Sequence, residues 1–218
     1  MSIFDDEEDK LNTVDKTVVE KYLDTYYKGI WEISDEPNDE GLFEVSAPYG
    51  AYLFNKGIKT LTNGLFIWAD IGGDFVCGRC PSLISLNGAP RKVNGIFDCS
   101  LCKSLTTLEG APQEVLGDFD CNNCDSLVSL KGAPRHVGGG FNCSYCWGLT
   151  SLEGGPERVG GIINLSWCKN LVTLDGVPKE MRHAINCSHC KSLTSLDAIP
   201  PKYRGNVNTH NCTLLLTK

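Results

Sequence analysis

No stretch of this chain comes near the ~18 consecutive apolar residues that a membrane-spanning helix requires, which argues against a helical membrane protein. Its first ten residues, MSIFDDEEDK, lack the basic start and apolar centre of a secretory signal. The expectation is a cytoplasmic protein, in a compartment where thiols stay reduced and disulfides are rare. A basic patch is missing too. Residues 1–45 carry a net charge of -10 and the remainder +3, giving -7 over 218 residues. An acidic head on a near-neutral body argues against a nucleic-acid partner, and DDEEDK reads as a solvated terminus. Catalytic groupings are equally scarce. His136, His183, His189 and His210 stand in no fixed relation to a nucleophile or a carboxylate. His189 and Cys190 are neighbours but are expected on opposite sides of the chain. The glycines after Val137 lack the Lys and the following helix of a phosphate loop. Neither enzymatic activity nor a cofactor is expected.

What the chain has in abundance is a repeat of 22 residues. Leucines recur at Leu83, Leu105, Leu127, Leu149, Leu171, Leu193 and Leu215, and again at Leu86, Leu108, Leu130, Leu152, Leu174 and Leu196. Pro90, Pro112, Pro134, Pro156, Pro178 and Pro200 keep the same step. So does the file Phe75, Phe97, Phe119, Phe141, Ile163, Ile185 and Val207. Phe97, Asp98 and Cys99 alternate apolar, polar and apolar, as a short strand with one buried face does. Leu105 and Leu108 point back inward, Gly110-Ala111-Pro112 turns the chain, and Val115 closes the coil. One coil has no second layer against which to bury its leucines, so coils must stack into a solenoid.

The cysteines keep to the repeat. Pairs spaced C-x-x-C occur at Cys77/Cys80, Cys99/Cys102, Cys121/Cys124, Cys143/Cys146 and Cys187/Cys190, a spacing that fits a zinc ribbon. A 22-residue period generates that spacing automatically, however. Leu165 and Thr209 stand in the file of the first cysteine, and leucine replaces a buried apolar residue but never a thiolate ligand. The first file is therefore expected in the core. The second, Cys80 to Cys212, has no exceptions and comes after each strand, where bending backbone needs weakly hydrogen-bonding partners. A structural zinc protein remains the third functional reading, and no metal ligand is assigned.

These residues resemble leucine-rich repeat proteins over about residues 50–218. Phe97 and Cys99 match the buried strand positions of L-x-x-L-x-L-x-x-(N/C)-x-x-L, Cys102 its Asn/Cys ladder, and Leu105 the next leucine. The phrase SLxGAPxxVGG is most similar to short repeats of tailed-bacteriophage and bacterial genomes, although those carry asparagine more often at the Cys102 position. The resemblance implies an arc with short parallel strands on its concave face and an irregular, turn-rich convex side. It also implies a phage-encoded protein working in the host cytoplasm, but it names no partner.

In the head, Thr17 and Glu20 form a T-x-x-E capping box. Val19, Tyr22, Leu23 and Tyr26 fall on one helical face, and Gly29 suits the C-terminal cap. Residues 30–34 and 42–46 alternate around a turn-rich link, a hairpin. Residues 1–50 are expected to cap a solenoid of residues 51–218, made of one degenerate coil and about seven regular ones.

Two files carry the candidate site. The outward strand file includes Asp98, Asp120, Asn142, Asn164 and Asn186, short polar groups able to hydrogen-bond a partner; a wet sheet face needs polar residues in any case. The file before the ladder cysteine holds Tyr145, Trp167 and His189, with Trp147 two residues beyond Tyr145. Other coils carry Lys103, Asp125, Lys169 and Lys191 at the Trp147 position, which marks it as exposed, and exposed aromatic clusters are typical binding anchors. The competing reading is that the rings shield backbone. The leading expectation is a non-enzymatic module binding a protein partner, a host or defence factor, through this face. The alternative is capture of a small ligand or glycan.

Overall fold

The structure, a computed structural model, describes residues 14–53 and 57–215; the acidic stretch at residues 5–10 lies outside the described residues. It is a β-solenoid of about seven turns with little helix. The first element among the described residues is helix α1 (Lys16–Tyr26), which buries Val19, Tyr22 and Leu23. Strands β1 (Tyr27–Gly29), β2 (Glu32–Ile33), β3 (Phe43–Ser46), β4 (Gly50–Leu53), β5 (Phe66–Trp68) and β6 (Asp74–Val76) come next. The regular coils then alternate two sets of two-residue strands. One set is β8 (Phe97–Asp98), β10 (Phe119–Asp120), β12 (Phe141–Asn142), β14 (Ile163–Asn164), β16 (Ile185–Asn186) and β17 (Val207–Asn208). The other is β7 (Lys92–Val93), β9 (Glu114–Val115), β11 (His136–Val137), β13 (Arg158–Val159) and β15 (Glu180–Met181).

The first set joins β6, β4 and β1 in a nine-stranded sheet, parallel except for the antiparallel edge strand β1. Its register is the sequence period itself: Phe97 pairs with Phe119, Phe119 with Phe141, and Ile163 with Ile185. Each coil donates backbone N–H groups to the next, as from Cys99 to the Asp120 carbonyl at 2.8 Å and from Leu101 to the Asn122 carbonyl at 2.8 Å. Parallel rungs lie about 4.8 Å apart, so identical side chains stack. Inside, the phenyl rings of Phe75, Phe97, Phe119 and Phe141 stack at 5.6, 5.3 and 5.4 Å. The leucine files and Val93, Val115, Val137 and Val159 fill the remaining core. Fully burying each such side chain contributes roughly 1.5–3 kcal/mol, and only a neighbouring coil provides the burial.

Three expectations are corrected. The return side of the coil is not merely turns: β7, β9, β11, β13 and β15 form a second parallel sheet of five strands. A two-residue strand has too little length to show alternation, so only its buried valine was legible. The helix is not capped by Thr17; Asp15 is the N-cap, and its carboxylate accepts from the Thr17 N–H at 3.0 Å. Gly29 is no helix cap either, because α1 ends at Tyr26 and Gly29 pairs antiparallel with Ala51 in β1. A Cβ there would come within 2.8 Å of the Gly50 carbonyl oxygen, so it is close packing that demands glycine. The hairpin is present, with Glu32 opposite Ser46 and Ile33 opposite Val45. Tyr22 and Tyr27 both donate hydroxyl hydrogen bonds to the Leu61 carbonyl, at 3.4 and 2.7 Å.

The turn glycine of each coil is set by contact with the coil before it. Gly110 has φ +88°, and a Cβ would lie 2.3 Å from the Asn87 nitrogen. Gly110→Ala is expected to destabilise by at least ~2 kcal/mol, combining left-handed strain with backbone displacement. Gly205→Ala, where nothing lies within 4 Å, should stay within about 0.5 kcal/mol. Urea unfolding of the two variants checks both, and equal effects would contradict the stacking geometry.

Candidate functional site

Every coil leaves its main strand through the same corner. From β8 onward the strand ends on an Asp or Asn whose Oδ1 accepts the N–H two residues on, whereas β6 ends on Val76. Asp98 takes Ser100 at 2.8 Å, Asp120 takes Asn122 at 2.9 Å and Asn142 takes Ser144 at 3.2 Å. Asn164 takes Ser166 and Asn186 takes Ser188, both at 3.1 Å. This is the Asx turn these residues favour. The amides also link coils, with Asn186 Nδ2 donating to Asn164 Oδ1 at 3.3 Å. The residues expected to read a partner thus spend one acceptor each on building the corner, and they are half-buried. Burial pushes the Asp120 carboxyl above its usual value, against the hydrogen bonds from Asn122, and Asp98 on the adjoining rung pushes it the same way.

One position further, just before the ladder cysteine, the backbone is left-handed in every regular coil: φ is 60° at Arg79, 61° at Leu101, 55° at Asn123, 59° at Tyr145, 64° at Trp167, 63° at His189 and 60° at Asn211. Such a backbone costs an L-residue about 1–2 kcal/mol. It occurs at Arg79 and Leu101 as well as at the aromatics, so the strain belongs to the coil. The ladder cysteine follows directly. Its thiol turns inward and donates to a carbonyl of the preceding coil: Cys102 to Cys77 at 3.4 Å, Cys124 to Cys99 at 3.3 Å and Cys146 to Cys121 at 3.2 Å. The series continues with Cys168 to Cys143 and Cys190 to Leu165 at 3.0 Å, and Cys212 to Cys187 at 2.9 Å. Leu165 serves as well as cysteine in the first file because only its carbonyl is used. All twelve cysteines are buried, reduced thiols. Among the described residues no group of three or more His, Cys, Asp or Glu is arranged to hold a metal ion.

The left-handed residue throws its side chain outward from the corner. There Tyr145, Trp167 and His189 form one stack, with ring centroids 5.7 and 4.0 Å apart and planes within 6°. His210 meets His189 edge-on at 5.7 Å, and Asn211 Nδ2 lies 3.4 Å from His189 Nδ1. Tyr145 and Trp167 remain 36% and 40% exposed. Trp147 is 42% exposed, and the Lys169 ammonium sits 4.1 Å above its ring. The structure therefore unites Tyr145, Trp167 and His189 in one row, and Trp147 lies on the coil of Tyr145, bridged to the coil of Trp167 through Lys169.

Sequence reasoning missed a groove of about 510 Å³ on the second sheet, lined by Glu114, His136, Arg158, Glu180, Arg182 and Tyr203 among others. Its signal was the polar column Lys92, Glu114, His136, Arg158 and Glu180, each residue one position before the buried file of Val93, Val115, Val137, Val159 and Met181. Lys92 pairs with Glu114 at 3.1 Å and Arg158 with Glu180 at 3.9 Å. Exposed pairs of this kind contribute ~0–1 kcal/mol, and they bind neighbouring rungs side by side. Comparison with protein-family models, curated proteins and solved structures returns no significant match to this chain.

The thiols give the corner a measurable pH dependence. Burial pushes most of them well above the ordinary thiol value, Cys102 and Cys190 to about 12. Below the unfolded value near 9 the folded and unfolded chains hold the same protons, and stability is complete. Above it the unfolded chain loses thiol protons that the folded chain keeps, so stability falls by about 1.4 kcal/mol per pH unit for each such thiol. Urea midpoints measured in reductant should hold up to about pH 8.5 and drop steeply as pH climbs toward about 11. A midpoint that stays flat across that range would contradict buried, protonated thiols.

Proposed function

We propose that this protein is a non-enzymatic interaction module that binds a protein partner through the exposed stack Tyr145–Trp167–His189 and the neighbouring Trp147. The observation that carries the reading is the stack itself: three parallel rings at 5.7 and 4.0 Å, on a corner where four other coils carry non-aromatic residues. Rigid aromatic side chains provide contact area at little entropic cost, and they dominate interface energies elsewhere. The coils of the stack supply a rigid platform, since each of their corners is fixed by an Asx turn and a thiol hydrogen bond. The finer reading rests on the repeat pattern: a leucine-rich-repeat type of arc, its open end closed by α1 and the β2–β3 hairpin. It is phage-encoded, active in the host cytoplasm, and sequesters a host or defence factor.

Small-ligand or glycan capture draws less support, because the Oδ1 atoms of Asp98, Asp120, Asn142, Asn164 and Asn186 are engaged by their own backbone. A structural zinc role draws less still, because the ladder thiols donate to carbonyls as protonated groups.

Affinity capture from a bacterial lysate, with bound proteins identified by mass spectrometry, tests the reading. The double variant Trp147→Ala/Trp167→Ala should lose the captured partner while its Tm moves by less than about 4 °C, as surface truncations do. Undiminished capture by that variant would refute the assignment of this face.

A further inference from the structure

Charge along the main face reverses where the rings begin. The strand-to-leucine segments of two earlier coils, residues 97–108 and 119–130, contain Asp98, Asp120 and Asp125, with Lys103 paired to Asp125 at 3.3 Å. The three equivalent segments of the later coils, 141–152, 163–174 and 185–196, contain no Asp or Glu at all. They carry instead Lys169, Lys191 and His189, in a chain whose net charge is -7. Lys169 and Lys191 are exposed and occupy equivalent positions on adjacent coils, about 4.8 Å apart along the stack. Neither has a carboxylate partner among the described residues. Stacking has a second electrostatic effect. It turns the electron-rich faces of Tyr145, Trp167 and His189 toward one another and leaves their electropositive edges outward.

We propose that residues 141–196 form a docking surface for an acidic peptide segment of a partner protein. Its carboxylates sit on Lys169 and Lys191, and one aromatic or long apolar side chain lies against the ring edges of Tyr145 and Trp167. This rests on the interaction-module reading and adds the partner's chemistry to it. Carboxylates two apart on an extended segment are separated by about 6.5–7 Å, a distance two flexible lysines on adjoining rungs can span. Nucleic acid fits the surface poorly: affinity for its backbone comes from many Lys and Arg contacts to phosphates, and this face offers two lysines.

Selection of a random displayed peptide library on the immobilised full chain, followed by affinity measurement on the enriched sequences, tests the proposal. Enriched peptides should pair two or more closely spaced Asp/Glu with an aromatic or long apolar residue. Lys169→Glu/Lys191→Glu and Trp167→Ala should each weaken them at least about tenfold, and added salt should weaken them further. Lys179→Glu, at the exposed turn that leads into β15, should leave binding unchanged, and thermal melts of all variants confirm that they fold. Peptides of neutral or basic composition that ignore the lysine changes but are lost in Trp147→Ala/Trp167→Ala would overturn this inference and leave the interaction module standing. Peptides insensitive to both sets of changes, or no enrichment at all, would count against both. Poly-uridine RNA competing at the affinity of the best peptide would also overturn it.

Discussion

From Cys102 onward, the hydrogen bond from each corner thiol to a carbonyl of the preceding coil reinforces the register on which the other features depend. It ties residue 102 to 77, 124 to 99 and so on, always 25 positions back. Backbone bonds from residues 97, 99 and 101 and the buried phenylalanine file already oppose a slip between coils. A thiol that must find one particular carbonyl adds a further constraint at each rung from Cys102 onward. Thiols are weak donors, and the Leu165 and Cys187 carbonyls also accept the N–H groups of Cys168 and Cys190, but a buried carbonyl left without any partner costs about 1–3 kcal/mol. The ladder therefore matters more for what its loss would expose than for the strength of each bond. Once the register holds, the phenyl rings of Phe75 to Phe141 must stack, the leucine files must close, and like residues must lie over like.

The surface inherits that order. Because residue i lies over i+22, three consecutive coils bearing Tyr145, Trp167 and His189 produce a continuous row of rings without any loop insertion. The same rule that builds a core stack of phenylalanines in the earlier coils builds an exposed stack in the later ones. A repeat protein acquires a recognition surface in this way, by varying one outward file while the inward files stay fixed. The left-handed backbone at that file turns the side chain away from the sheet, and the adjacent cysteine turns its thiol back toward the core.

Much of this was legible from residues alone, and the reasons differ by feature. The inward files were legible because burial tolerates few residue types, so Leu105, Phe97 and Val115 repeat almost unchanged. The aromatic row came from the same arithmetic applied to Tyr145, Trp167 and His189. The left-handed corner was only faintly legible, since Asn123 and Asn211 hint at it but Leu101, Tyr145 and Trp167 adopt it too. Nor was the acceptor of each thiol, a backbone carbonyl that carries no side-chain signature; Leu165 fills that role as well as Cys99. Asp98 and Asn142 looked like free outward groups because an Asx turn and an open polar face use the same residues. In the head, Thr17 and Glu20 fit the capping pattern, yet Asp15 is the residue that caps the helix. The second sheet escaped notice because one buried valine per coil cannot reveal a strand.

The infrared S–H stretching band reads the thiol ladder directly, with the reduced native protein compared against its urea-unfolded state. If the ladder exists, the native band is present, shifted to lower wavenumber and broadened, as expected of protonated thiols that donate to carbonyls, and unfolding moves it back. A native band at the unfolded position would remove the hydrogen bonds, and its absence would mean thiolates or disulfides in place of the ladder.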